Sequence, residues 1–154
     1  MVARHSSLVA RQNGKPRGYR DLDVYQRSLD ALVKIHRIVA TFPTFEKYEL
    51  ASQLRRASKS VPANIAEGYA KRRYIKEFVS FLTIATASAN EVEVHLEIAF
   101  RLNYMPEPVL VELREEYDHI GRQLTALIRS TARPASERRA TSDERPSGGG
   151  RDGL

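Results

Sequence analysis

At 154 residues the chain is long enough for one domain with a sizeable core, and its lack of cysteine excludes disulfides, thiolate metal sites and cysteine nucleophiles. No apolar run approaches the roughly 18 residues that span a bilayer, and no continuous apolar segment follows the basic N-terminus, so a cytoplasmic protein without a secretory signal is expected. The net charge of +6 sits in the ends: residues 1–20 carry five Arg/Lys and no acid, residues 129–154 six Arg and four acids, and residues 21–128 fourteen Arg/Lys against fifteen Asp/Glu.

Residues 1–20 lack periodicity and contain Gly14, Pro16 and Gly18, which reads as a flexible basic arm. Asp21 or Asp23 is placed to cap a first helix. Tyr25, Leu29, Leu32, His36 and Val39 trace one face of it to about Thr41, with His36 expected as a hydrogen-bonded core residue. Phe42-Pro43-Thr44 ends it, because the residue before a proline is pushed toward extended geometry.

A second helix is expected from about Phe45 to Tyr69, with Gly68 as its cap. Leu50, Leu54, Ala57, Val61 and Ile65 give it an apolar stripe, and Gln53, Arg56, Ser60, Asn64 and Glu67 a polar stripe beside it. Two orderly stripes imply two different neighbours. Pro62 removes the partner of the Ser58 carbonyl, which either ends the helix there or kinks it; the apolar spacing continues in phase through Ile65, which favours one kinked helix.

Residues 70–73 then make a tight connection to a third helix over 74–103. Its middle, Phe78 to Ala89, carries no charge on any face, so it needs cover on every side, and a sister subunit is the economical cover. Ser60, Asn64, Phe81, Ile84, Ala87 and Ser88 are the expected oligomer contacts. Met105-Pro106-Glu107-Pro108 forms the next turn. Leu110, Leu113, Tyr117, Ile120, Leu124 and Leu127 keep a 3-4 rhythm through a fourth helix, within which Gly121 costs about 1 kcal/mol relative to alanine. Residues 131–154, rich in Ser, Pro, Arg and Gly, read as a disordered tail. The expected fold is all-α: an up-down-up-down four-helix bundle over residues 21–130.

Several runs resemble the four-helix-bundle family of 23S rRNA intervening-sequence proteins, which is similar to the accessory proteins of diversity-generating retroelements. SVPANIAEG at Ser60–Gly68 is the specific one. It is preceded by QLRRAS at Gln53–Ser58 and followed by EFVSFLTIATASANEVE at Glu77–Glu93, with LDVYQRSLDAL at Leu22–Leu32 and FP at Phe42-Pro43. Ala70 and Ala87 depart from it, standing where such proteins often have glycine. The resemblance implies a ring of subunits, a pentamer, that binds RNA; its retroelement branch implies a reverse transcriptase as partner.

The helix order also sorts the charge. Arg55, Arg56, Lys59, Lys71, Arg72, Arg73 and Lys76 are expected on or near the half that holds the second turn, where Tyr74 can stack on an unpaired base. Glu91, Glu93, Glu97, Glu107, Glu112, Glu115, Glu116 and Asp118 fall at the other end, with Arg101 and Arg114. Basic residues after a helix C-terminus also complement its dipole, so a solvated turn explains the same pattern. No metal, cofactor or catalysis is expected. Glu116 and His119 have a di-metal spacing, but Tyr117 and Ile120 on the seam turn His119 outward; Glu91 and His95 have no second pair. The competing reading is a protein–protein scaffold without nucleic acid.

Overall fold

The computed structural model describes residues 14–133 and residue 137. Four helices follow in order: α1 (Asp23–Val39), α2 (Leu50–Ala70), α3 (Ile75–Arg101) and α4 (Glu107–Ala132), with single 3-10 turns at Tyr19–Asp21 and Thr44–Glu46. Among the described residues there is no strand, and no helix is long and apolar enough to cross a membrane. Short connections make sequential helices antiparallel, as an up-down-up-down bundle requires. The start of α1, the end of α2, the start of α3 and the end of α4 therefore share one end. The expected arm at 1–13 and most of the expected tail lie outside the described residues; Thr131 and Ala132 still belong to α4.

The core face of α1 differs by one position from the expected one. Val24, Ser28, Ala31, Ile35 and Val39 are buried, whereas Tyr25, Leu29, Leu32 and His36 are only half-covered. Ser28 misleads a hydropathy count because it is polar by type, yet its hydroxyl donates to the Tyr25 carbonyl at 2.7 Å and so enters the core satisfied. His36 is not a core residue; its Nδ1 lies 3.0 Å from the Leu32 carbonyl on the same helix. Neither aspartate caps α1. Leu22 is the N-cap without a side-chain bond, and Asp21 turns back to accept the Arg17 N–H at 2.9 Å.

Helix α2 starts later than expected because Thr44–Glu46 forms its own 3-10 turn. Glu46 fastens this corner: one carboxylate oxygen accepts the Leu50 N–H at 3.1 Å and the other accepts the Tyr104 hydroxyl at 3.0 Å. The five apolar positions of α2 are all buried, and the helix runs unbroken through Pro62, itself buried. Asn64 Nδ2 donates to the Ser60 carbonyl at 2.8 Å, two residues on from the Ser58 carbonyl that Pro62 frees. Gly68 is not a cap. It lies inside the helix without a positive φ, and α2 continues to Ala70. A β-carbon there would sit 2.8 Å from the Phe81 Cβ, so glycine lets α2 and α3 approach closely just before their turn.

Helix α3 ends in a Schellman turn. Asn103 adopts φ 62°, the Tyr104 N–H bonds the Ala99 carbonyl and the Asn103 N–H bonds that of Phe100, each at 2.9 Å. On α4 the expected seam holds: Leu110, Leu113, Tyr117, Ile120 and Leu124 are buried. Leu127 packs against the core edge.

Candidate nucleic-acid interface

The cationic end is built on the α2–α3 turn. Tyr69 closes α2 and packs edge-on to Phe78, ring centroids 6.5 Å apart, which pins the turn to α3. Lys71 and Arg72 are engaged by the protein itself. The Lys71 ammonium lies 3.6 Å from a Glu77 carboxylate oxygen and 5.2 Å from the Phe81 ring centre. Arg72 donates to the Tyr69 carbonyl at 3.1 Å with its guanidinium 4.5 Å from the Tyr69 ring centre. Arg73 and Lys76 are exposed and have no acidic partner among the described residues. Tyr74, the N-cap of α3, is 66% exposed, which leaves its ring available for stacking.

The helix dipoles do not create this field. At this end the negative termini of α2 and α4 meet the positive termini of α1 and α3, so the half-charges largely cancel. The side chains decide it.

The other three expected cations are elsewhere. Arg55 donates to the Lys47 carbonyl at 2.7 Å, at the α1–α2 corner. Arg56 and Lys59 are exposed on the same half of α2, about 20 Å from the turn at 1.5 Å per residue. The expectation that all seven lie on or near one half fails because the length of α2 separates them. The opposite end is less one-sided than its acid count suggests, because Lys34 of α1 reaches Glu112 at 3.1 Å and Glu116 at 3.2 Å on α4.

The expected oligomer contacts also divide. Asn64, Ser60 and Ser88 are linked within the chain: Asn64 Nδ2 donates to Ser60 Oγ at 3.0 Å, and Ser60 and Ser88 hydroxyls lie 2.8 Å apart. The polar stripe of α2 thus finds part of its partner on α3, which the short turn forces alongside it. Phe81 is half-covered, but Ile84 and Ala87 are exposed. Their row continues with exposed Val94, Ile98 and Leu102, a stripe along the outer side of α3 that the sequence reading missed beyond Ala89 because glutamates interrupt it.

Among the described residues no three His, Cys, Asp or Glu side chains are grouped to hold a metal ion. His95 is tied to Glu91 at 3.2 Å, and His119 is half-exposed between buried Tyr117 and Ile120.

A four-helix bundle with unpaired cations and an open aromatic ring at one turn defines a class of helical module, not an identity. Residues 20–126 match the model of the 23S rRNA-intervening sequence protein family, and the chain belongs to that family. A solved structure from Bacteroides thetaiotaomicron, described as a protein of unknown function from the S23 ribosomal protein family, is similar at 26% identity and a TM-score of 0.63. The alignment covers 69% of this chain and 95% of that one. No curated protein matches.

Proposed function

We propose that this protein is a non-enzymatic homo-oligomeric bundle that binds RNA at its cationic end. The observation that carries the reading is Arg73 and Lys76, exposed and unpaired beside the open ring of Tyr74, in a chain of a family described by its rRNA intervening sequences. Cations release counterions from phosphate and the ring stacks on an unpaired base. The exposed row on α3 supports self-association, which would repeat the cationic tip around a closed ring and raise avidity. Five subunits and a reverse transcriptase as partner rest on the sequence resemblance alone.

The test is RNA binding by the full chain carrying Arg73→Glu and Lys76→Glu. A tenfold or greater loss of affinity is expected, with a shallower dependence on salt and an unchanged helical signal. Wild-type binding in that variant would reduce the turn to a solvated corner.

One observation favours a second reading, a protein–protein scaffold. Phe45 and Tyr48 at the α1–α2 corner are 71% and 81% exposed, more than any other large apolar side chain described. Contacts made there would lack the steep salt slope that phosphate contacts give.

A further inference from the structure

We infer that residues 15–20 form a second wall of the cationic site, held against the α2–α3 turn by Tyr69. This rests on the nucleic-acid reading above and extends it to a separate segment of chain. The Tyr69 hydroxyl donates to the Pro16 carbonyl at 3.1 Å, while its ring carries the Arg72 guanidinium. One aromatic residue therefore joins the two basic segments.

The segment is tied along its length. The Arg17 N–H bonds Asp21 at 2.9 Å, and the Asp21 N–H bonds the Gly18 carbonyl at 3.1 Å. Tyr19 lies edge-on to Tyr25 with ring centres 5.0 Å apart, and the Arg20 carbonyl accepts from Gln26 at 2.9 Å. The 3-10 turn packs on both α1 and α2. Residues 16–20, which the sequence reading places in the arm, carry these contacts.

What this anchoring displays is charge. Lys15, Arg17 and Arg20 are all exposed, and none of their charged groups forms an ion pair among the described residues, the Asp21 carboxylate being held on the Arg17 backbone N–H. Arg20 is stiffened by stacking on Tyr19 at 4.8 Å. A strap needed only to close the base of the bundle has no use for three unpaired cations on its outer side. Placed beside Arg73 and Lys76, they make a surface wide enough for consecutive phosphates of one strand, with Tyr74 available to a base. The ligand class is a single-stranded polyanion with stackable bases.

The experiment titrates salt against a fluorescent single-stranded RNA oligonucleotide, using the full chain. Replacing Lys15, Arg17 and Arg20 with Gln should lower the slope of log affinity against log salt by about 2, since each phosphate contact on a single strand contributes about 0.7. The double variant Lys15→Gln/Arg17→Gln, which leaves the Arg20 stack intact, should lower it by about 1.4 with an unchanged melting temperature. Tyr69→Phe keeps every charge and removes only the latch, so affinity should fall two- to tenfold with the slope retained. A wild-type slope in both glutamine variants, with binding still lost in the Arg73→Glu/Lys76→Glu variant, would overturn the second wall and leave the turn as the site. Unchanged affinity in Tyr69→Phe would remove the latch. Absence of RNA binding by the wild-type chain itself would instead bring down the underlying reading.

Discussion

Gly68 and Phe81 meet so closely that a methyl group on the glycine would lie 2.8 Å from the phenylalanine Cβ, an atom that cannot move without its backbone. The contact lies near the bases of α2 and α3, where the chain has four residues to reverse direction. Gly68→Ala gains at most about 1 kcal/mol of helix propensity, against about 1–3 kcal/mol for overpacking. Net destabilisation is expected, read as a lower urea midpoint with an unchanged m-value.

Gly121 has the opposite sign. It too is helical, but a β-carbon there meets nothing within 4 Å. Gly121→Ala should stabilise the bundle by about 0.5–1 kcal/mol through propensity alone. Equal effects at the two glycines would contradict the packing described.

Tyr117 is 1% exposed in the core of the bundle, and its hydroxyl has no hydrogen-bond partner. A buried orphan hydroxyl carries a desolvation cost of about 1–3 kcal/mol. Tyr117→Phe removes it while keeping the ring, so stability should be unchanged or rise by about 1 kcal/mol. Burial first, and the Glu116 charge second, push the Tyr117 phenol well above the usual tyrosine range. Because the folded state holds this proton more tightly, its contribution is fully present below about pH 10 and is lost as pH rises beyond that. Tyr117→Phe should therefore blunt alkaline unfolding above about pH 10, as followed by circular dichroism.

Glu93 holds its proton more tightly than a usual surface acid. Burial, then the charge of Asp118 on α4, raise its carboxyl above the ordinary value, and Arg114 only partly offsets this. The raised value means the stabilising neutral form is complete below about pH 4.5 and is given up as pH rises. Glu93→Gln should raise the melting temperature at pH 7 and leave it unchanged near pH 4. The same gain at both pH values would assign the effect to packing instead.

The outer row of α3 offers the test of self-association. Val94 and Ile98 are 56% and 42% exposed, so Val94→Glu and Ile98→Glu should fold as well as wild type. If this row is covered by another subunit, each should shift the particle mass to the monomer by light scattering on a column. A wild-type mass in both would move the interface to another face.

Much of the fold was readable from spacing, and the misses have physical causes. The α4 seam and the α2 stripe were legible because their residues are apolar and nothing local competes. The α1 face is hidden in the sequence because Ser28, polar by type, satisfies itself on the Tyr25 carbonyl and enters the core. Gly68 looks like a terminator in sequence because glycine has two uses, and only the position of Phe81 distinguishes them. For the site, Arg73, Lys76 and Tyr74 were legible as a cluster adjacent in sequence. The tie between Tyr69 and Pro16 was not, since a bond spanning 53 residues leaves no trace in spacing.

Because the helices alternate in direction, Gly14 and Arg133 both leave the bundle at the Tyr69 end. A fluorophore attached at Gly14 or Arg133 would thus sit on the side of the surface it was meant to report on. The corners at 40–49 and 102–106 are the better places for a probe, at the far side of the barrel of helices, and a cysteine introduced there would be the sole thiol available for labelling.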